Sequence, residues 1–388
     1  MLLYWVWFSE LNMPLAEKHS FLSQYGDPET LFHSAVLKQE DKDLTTAEEI
    51  LCKCKEKSIS VLPIDDPAYP FRLRNTADAP ILLYYKGILP DWDAVPYIGV
   101  VGTRKASAYG LQAAHQMGFQ IARCGGIVVS GGAWGIDTAA MQGALEAGSP
   151  VIGVLGCGVD VVYPRSNRKL FEAVIENGCL ISEYPPEAQG IPWHFPARNR
   201  IISGVANGTL IVEAPEKSGA LITARWALEQ GRDVFVVPGN INTVSCMGSN
   251  ALLQEGAMPV FSGWDVVRNY EVLYPGKLQN AAKSPSFTPE TTSAKVAQPV
   301  QIPQLGEDRR KKIIDNEENT TYSVLENRKP ALSDEEQSVL AQLTRDPMEA
   351  SEVIAKLNMP SGKVMSLLTM LSIKGLAAKH PGGRFSLK

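Results

Sequence analysis

Short apolar runs, each bounded by glycine or a turn residue and followed by an amphipathic stretch, recur from Tyr97 to Trp264. The runs read YIGVVG, GIVVSGG, PVIGVLGCG, CLISEY, GTLIVEA, DVFVVPG and MPVFSG. Runs of this length favour strands, and the stretches between them have the length and the pattern of helices. About seven strands that alternate with helices predict an α/β protein with a parallel, doubly wound sheet.

The segments on either side of these runs have different patterns. Residues 1–60 carry apolar positions at helical spacing and predict a small helical domain. Residues 61–96 hold several prolines among short apolar runs, which predicts an extended connection to the core of residues 97–271. Residues 272–330 are polar and rich in Pro, Ser, Thr, Lys and Glu, which predicts a flexible linker. Residues 331–388 show three short helical stretches and a Gly-Gly turn, the outline of a winged helix.

The composition excludes several classes of protein. A formal net charge of −5 argues against coating nucleic acid by bulk charge, so a DNA contact would need a local basic patch. The six cysteines show no CxxC spacing, which predicts no zinc site. No stretch reaches the roughly 20 apolar residues that span a bilayer, and the first residues lack the features of a secretory signal. We therefore expect a cytoplasmic protein that holds no metal and makes no contact with a membrane.

The loops that follow the first three strands carry glycines and cations. In an open Rossmann-like sheet, ligands bind at the carboxyl ends of the strands, where helix N-termini present N–H groups to anions. The candidate anion contacts in these loops are Gly102, Thr103, Arg104, Ser130, Gly131, Gly132 and Arg168. Any tight turn from strand to helix also needs glycine, so one such loop alone would not establish a ligand site.

Two later segments add cations to this edge of the sheet. The segment FPARNRIISG places two arginines where a helix is expected to start, and the helix dipole does not favour cations there. An anionic partner would explain that placement. The segment VEAPEKSGALIT ends a strand and starts a helix with a Lys-Ser-Gly turn. The candidate contacts in the two segments are Arg198, Asn199, Arg200, Ser203, Gly204, Lys217, Ser218 and Gly219. Each cation taken alone is equally compatible with a surface salt bridge.

Three cofactor signatures are missing from the sequence. It has no GxGxxG dinucleotide fingerprint, no P-loop and no PGG-x-G-T-x-x-E motif, so we predict no cofactor and no catalytic residue. The alternative is a hydrolase of the nucleoside monophosphate phosphoribohydrolase type that uses Asp137 or Glu213. Asp137 could instead start a helix, and Glu213 could anchor a neighbouring loop or arginine. A protein scaffold whose arginines serve a dimer interface is a further alternative.

Three aromatic side chains near these loops allow two interpretations. Trp134 lies between the glycines of the second loop, and Trp193 and His194 immediately precede the arginine segment. Each of these rings could stack on a nucleobase, as aromatic side chains do in proteins that bind single strands. Packing against a helix or burial in the core would explain the same residues.

Seven segments, in this order, resemble the DprA (Smf) family of DNA-processing proteins: VGTRKASAYG, SGGAWGID, GCGVDVVYP, SEYPP, HFPARNRIISG, VEAPEKSGALITA and VVPGN. The resemblance spans about residues 60 to 265. It implies a Rossmann-like core that binds single-stranded DNA, forms a homodimer and loads the RecA recombinase onto the strand during natural transformation. It also implies phosphate contacts at Arg104, Gly131, Gly132, the ARNR–SG segment and Lys217.

The flanking segments are also similar to those of the family, with two departures. The family's helical N-terminal domain is related to SAM and helix-hairpin-helix modules, whose hairpin usually contains glycine, but the corresponding LNMPLAEK has none. The expected recognition helix of the winged helix, residues 361–375, contains only Lys363 and Lys374 as cations. A protein-binding role and a DNA-binding role for that domain therefore both stay open.

Overall fold

The structure is a computed structural model that describes residues 1–281, 334–357, 359, 361–373, 376–380 and 384–387. The chain divides into two compact units, Met1–Thr321 and Tyr322–Lys388. No helix among the described residues combines the length and the apolar character needed to cross a membrane.

The first unit begins with four helices: α1 (Leu2–Glu10), α2 (Leu15–Tyr25), α3 (Pro28–His33) and α4 (Thr45–Glu56). Asp27 caps α3 by accepting a hydrogen bond from the Thr30 amide at 2.8 Å, and Pro28 takes the first helical position. The helical character predicted for residues 1–60 is present. Because Trp5 and Phe8 belong to the same buried apolar cluster as one face of the sheet, the domain boundary at residue 60 stays a prediction.

The sheet of the first unit has the order β1-β2-β6-β5-β4-β3-β7-β8-β9 within the described residues. The strands are β1 (Ser60–Pro63), β2 (Leu82–Gly87), β3 (Tyr97–Val101), β4 (Ile127–Ser130), β5 (Val151–Leu155), β6 (Cys179–Ser182), β7 (Gly208–Ile211), β8 (Asp233–Val236) and β9 (Met258–Pro259). Strands β3 to β9 pair in parallel, which confirms the predicted doubly wound sheet. The segment predicted as an extended connection adds two antiparallel strands, β1 and β2, at one side.

Helices cover both faces of this sheet. They are α5 (Phe71–Arg74), α6 (Ala108–Arg123), α7 (Ile136–Glu146), α8 (Arg168–Asn177), α9 (His194–Val205), α10 (Gly219–Glu229), α11 (Met247–Gln254) and α12 (Gly263–Val267). One buried cluster joins the sheet to α6, α7, α8 and α12, and a second joins it to α5, α9, α10 and α11. Helices α6 and α7 approach closely at Gly118, because glycine has no Cβ; a Cβ there would overlap the carbonyl oxygen of Ala140.

The order of the strands reverses next to β3, because β4 lies on one side of it and β7 on the other. In open α/β sheets this switch point opens a crevice at the carboxyl ends of the strands, and ligands bind in it. The loops after β3, β4 and β7 therefore meet at one place. These are the loops that carry Arg104, Gly131 and Lys217.

The described residues of the second unit form three helices and a small sheet. The helices are α13 (Asp334–Leu340), α14 (Ala350–Lys356) and α15 (Ser361–Ile373), and the strands are β10 (Met348–Glu349), β11 (Ala377–His380) and β12 (Arg384–Leu387). The sheet has the antiparallel order β10-β12-β11 around a core that includes Val353, Leu368 and Phe385. The predicted Gly-Gly turn lies outside the described residues.

The linker predicted for residues 272–330 lies outside the described residues except at its start, and there the prediction is wrong. Tyr274 and Ala281 are buried in the first unit. The Tyr274 hydroxyl is 3.1 Å from the Asn207 side-chain nitrogen, and the Gln279 amide donates to the Cys124 carbonyl at 3.2 Å. The fold therefore continues to Ala281, because these contacts fix the chain against the sheet.

Candidate nucleic-acid interface

A small open pocket, the switch-point pocket, lies beside the switch point at the carboxyl ends of β3, β4 and β5. Its lining residues are Arg104, Gly131, Ala133, Trp134, Tyr163, Pro164, Phe195 and Arg198. They come from the loops after β3, β4 and β5 and from the first turns of α9. The pocket thus combines backbone, two guanidinium groups and three aromatic rings at the edge of the sheet where a ligand is expected.

Arg104 is exposed and lies over an aromatic ring of the pocket. Its guanidinium carbon is 5.2 Å from the centre of the Phe195 ring, and the Phe195 and Tyr163 rings are 5.2 Å apart. A cation at this distance from the face of a ring is held by the ring's quadrupole. Sequence reasoning missed Tyr163 and Phe195, although each directly precedes a proline in a basic segment, YPR and FPAR.

Trp134 also lines the pocket, with 50% of its side chain exposed. Its indole nitrogen donates to the Ser166 hydroxyl at 2.8 Å, which fixes the ring's orientation. His194, by contrast, stacks on Tyr184 at a centroid distance of 3.7 Å, and a ring nitrogen lies 3.2 Å from the Gly156 carbonyl oxygen. Burial lowers the pKa of His194. His194 therefore has the packing role that the sequence left open, whereas Trp134 faces the pocket.

Arg198 forms the floor of the pocket and is 3% exposed. Its guanidinium donates to the carbonyl oxygens of Gly131, at 2.9 Å, and of Val154. Burial lowers the pKa of Arg198 to about 10, and the charge of Asp137 acts against that shift. A Cβ at Gly131 would overlap this guanidinium, so the glycine is required by the close approach of Arg198. Arg198 gives the floor positive charge and supports the Gly131 loop.

Asp137 is the buried carboxylate of this floor, 5% exposed. It accepts a hydrogen bond from the Gly131 amide at 3.1 Å. Burial raises the pKa of Asp137, and the nearby Arg198 opposes that rise. The Gly131 N–H, which the sequence assigned to a phosphate, is therefore used inside the protein.

Arg200 lies on the other side of α9 and does not reach the pocket. Two residues along an α-helix turn the side chain by about 200°. The Arg200 guanidinium donates to both Glu183 carboxylate oxygens, at 2.9 and 2.6 Å, and its Nε donates to the Asp78 carbonyl at 3.1 Å. The prediction that Arg200 contacts a phosphate is contradicted by this enclosed ion pair.

Several other predicted contacts are enclosed in the fold. The Ser130 hydroxyl donates to the Val100 carbonyl at 2.7 Å, and the Thr103 amide donates to the Glu213 carbonyl at 2.7 Å. A Cβ would overlap Ile136 at Gly102, Phe171 at Gly132 and Leu73 at Gly204, and the Ser203 hydroxyl donates to the Arg200 carbonyl inside α9. These residues allow close packing of the loops, and a direct contact with a ligand stays a prediction for them.

The remaining predicted residues lie in segments that follow β5 and β7 and in α9. Lys217 is exposed after β7, and Arg168 is exposed at the start of α8. Ser218 caps α10 by accepting a hydrogen bond from the Ala220 amide, and a Cβ at Gly219 would meet open space. The Asn199 side chain donates to the Gly219 carbonyl at 3.2 Å, which joins α9 to the Lys-Ser-Gly turn. Arg165, next to Pro164 of the pocket, is an exposed cation that sequence reasoning did not select.

Comparison with known proteins identifies the family. The model named DNA recombination-mediator protein A matches residues 60–271, and the DprA winged helix domain matches residues 325–383. DNA processing protein DprA of Bacillus subtilis is 41% identical over 217 residues, which cover 56% of this chain and 73% of the relative. For DprA of Streptococcus pneumoniae the identity is 43% over 217 residues, 56% of this chain and 75% of the relative.

A solved structure agrees with these sequence matches. The X-ray structure of DprA from Streptococcus pneumoniae is similar to this chain, with a TM-score of 0.56 and 36% identity. The matched region covers 66% of this chain and 87% of the solved chain. The family model covers more than half of the 388 residues. The chain therefore belongs to the DprA (Smf) family of DNA recombination-mediator proteins, and its second unit contains that family's winged helix domain.

Proposed function

We propose that this chain binds and protects single-stranded DNA at the switch-point pocket, without preference for sequence, and loads RecA onto the bound strand. The observation that supports DNA binding is the exposed Arg104 guanidinium, seated over Phe195 in a pocket with further aromatic rings. The recombination-mediator family supplies the biological context. RecA loading and natural transformation rest on the family alone.

Exposed cations follow several strands at this edge of the sheet, which supports an extended contact. In the order β5, β3 and β7, the segments after these strands carry Arg168, Arg104 and Lys217, and Trp134 follows β4, which lies between β5 and β3. Adjacent strands are about 4.8 Å apart, so three intervals span roughly 14 Å. A DNA backbone that follows this edge would pass one cation after another, and phosphate contacts of this kind carry no sequence information.

Binding without catalysis is supported by the positions of the two carboxylates that a hydrolase would use. Glu213 is 1% exposed and Asp137 is 5% exposed. Each accepts hydrogen bonds from the protein, from Ser107 and Gly131 respectively. A general acid or base must reach the substrate within hydrogen-bond distance. Neither carboxylate has that access in this conformation, which argues against the phosphoribohydrolase alternative.

The proposal includes a homodimer formed through the Rossmann-like core and action in the cytoplasm. Within the described residues, β9 pairs with β8 on one side and leaves its other side as a sheet edge. Phe261, two residues beyond β9, has a largely exposed ring. A second chain at this edge would cover both features.

The first test compares labelled single-stranded and duplex oligonucleotides by fluorescence anisotropy at several salt concentrations. We expect the single strand to bind more tightly than the duplex, because the aromatic rings of the pocket need an unpaired base. With three phosphate contacts, log K should fall with log salt with a slope of about −2. Equal affinity for the duplex, or absence of single-strand binding at low salt, would contradict the proposal.

A second test removes an aromatic ring without changing charge. The substitution Trp134→Ala is expected to weaken single-strand binding by about 1–3 kcal/mol, the typical contribution of one stacked base, and to leave the salt slope unchanged. Trp193→Ala is the matched control, because Trp193 is also about half exposed but does not line the pocket. If the two substitutions had the same effect, the pocket would not hold a base.

A further inference from the structure

Glu213 is a buried residue just after β7 that is hydrogen-bonded to the loop after β3 and to the segment after β8. Its Oε2 accepts hydrogen bonds from the Ser107 amide at 2.9 Å and from the Ser107 hydroxyl at 3.2 Å. Its Oε1 accepts a hydrogen bond from the Ser245 hydroxyl, and its backbone carbonyl accepts one from the Thr103 amide at 2.7 Å. One residue thus connects the ends of β3, β7 and β8 at the edge where the pocket lies.

The carboxylate lies at the N-terminus of α6. Ser107 caps this helix by accepting a hydrogen bond from the Gly110 amide at 3.0 Å, and a Cβ at Gly110 would overlap Glu213 Oε2. A helix N-terminus carries about half a positive charge, and in dinucleotide-binding sheets the first such helix receives a pyrophosphate. In this chain the same position is filled by an anion from the protein itself.

The loop that carries Arg104 is held at both ends by this one residue. Thr103, directly before Arg104, bonds to the Glu213 carbonyl, and Ser107, three residues after it, bonds to the Glu213 carboxylate. Glu213 also belongs to the segment that leads to Lys217, four residues further on. The separation of the two proposed phosphate contacts therefore depends on Glu213.

We propose that Glu213 is a positioning residue: an internal anion that takes the place of a ligand phosphate at the N-terminus of α6 and holds Arg104 at the pocket. The inference rests on the proposed function, since Glu213 acts on DNA only through Arg104. A role in stability alone would lower the amount of folded protein, and it would leave the contribution of Arg104 to affinity unchanged.

The test is a double-mutant cycle on single-strand affinity, measured on the full chain at low salt. Glu213→Gln keeps the shape and removes the charge, and we expect it to weaken binding about tenfold, the loss that corresponds to a hydrogen bond to a charged group. In an Arg104→Ala background the further loss should be less than about twofold, because interacting residues are not additive. In an Arg168→Ala background, Glu213→Gln should still weaken binding about tenfold, because distant residues act additively.

The control is Asp265→Asn, which also removes a carboxylate from a helix N-terminus. Asp265 forms the capping box of α12 with Ser262 and does not line the pocket, so this variant should bind the single strand like the unchanged chain. If Glu213→Gln did not fold, Ser107→Ala would replace it, because it keeps the amide bond to Oε2 and removes the hydroxyl bond together with the hydroxyl's cap on α6. Its smaller loss should show the same dependence on Arg104.

The possible outcomes separate this inference from the proposed function. If Glu213→Gln weakened single-strand binding by the same factor in the presence and in the absence of Arg104, or did not weaken it, the positioning role would be overturned. The proposed DNA binding would not be affected by that result. If Arg104→Ala itself left single-strand binding unchanged, the proposed function would fail first.

Discussion

The substitution Arg104→Ala is expected to weaken the binding of all single-stranded oligonucleotides by a similar factor. The reason is that Arg104 is an exposed cation at the pocket and contributes charge without reading a base. Loss of one phosphate contact should reduce the slope of log K against log salt by about 0.7. Lys217→Ala should act in the same way. Anisotropy titrations at several salt concentrations measure both quantities.

Arg123→Ala is the matched control for this result. Arg123 is exposed at the last residue of α6, whereas the pocket lies beside the first turn of that helix. Its replacement should therefore leave affinity and slope unchanged. A change in sequence preference after Arg104→Ala, with the salt slope intact, would show that Arg104 reads bases and would refute the phosphate contact.

The substitution Arg198→Ala is expected to reduce the free energy of unfolding by about 3–5 kcal/mol, the usual cost of leaving a buried charge without its partner. It removes the guanidinium beside Asp137 and two hydrogen bonds to the carbonyls of Gly131 and Val154. Urea denaturation measures the change. Arg168→Ala, an exposed change on α8, should stay within about 0.5 kcal/mol of the unchanged chain.

The stability lost in Arg198→Ala should depend on pH. Burial already raises the pKa of Asp137, and without the opposing charge of Arg198 it should rise further. A carboxyl whose pKa is higher in the folded state binds a proton on folding, so stability falls as pH rises through that range. The variant should therefore be closer in stability to the unchanged chain at pH 5 than at pH 7. An equal difference at both pH values would mean that Asp137 does not respond to Arg198.

The glycine-bounded apolar runs were sufficient to predict the parallel strands β3 to β9, and the positions of Arg104, Lys217 and Arg168 after these strands followed from them. For the two arginines of α9, the sequence did not predict which anion each side chain contacts. Cations at the start of a helix indicated an anionic partner, and for Arg200 that partner is Glu183, a residue of the same chain that follows β6. Spacing along the sequence cannot distinguish an internal carboxylate from a ligand phosphate.

The extended backbone of residues 61–96 was predicted, but its pairing into β1 and β2 was not. Pro63 ends β1 and Pro80 precedes β2, so the prolines do not interrupt the ladder between the two strands. The burial of Tyr274 likewise depends on Asn207 and Arg72, which are distant in the sequence. Long-range contacts of this kind leave no local periodicity.

The carboxylate at the N-terminus of α6 also bears on competition inside a cell. Free nucleotides and dinucleotides are abundant there, and an open helix N-terminus in a doubly wound sheet would attract their phosphates. Because the Glu213 carboxylate already accepts the hydrogen bonds of Ser107 at this end of the helix, it occupies the place that the phosphates of such metabolites would take at the turn after β3. The neighbouring pocket then stays available to a polymer, whose several phosphates can engage several cations at once.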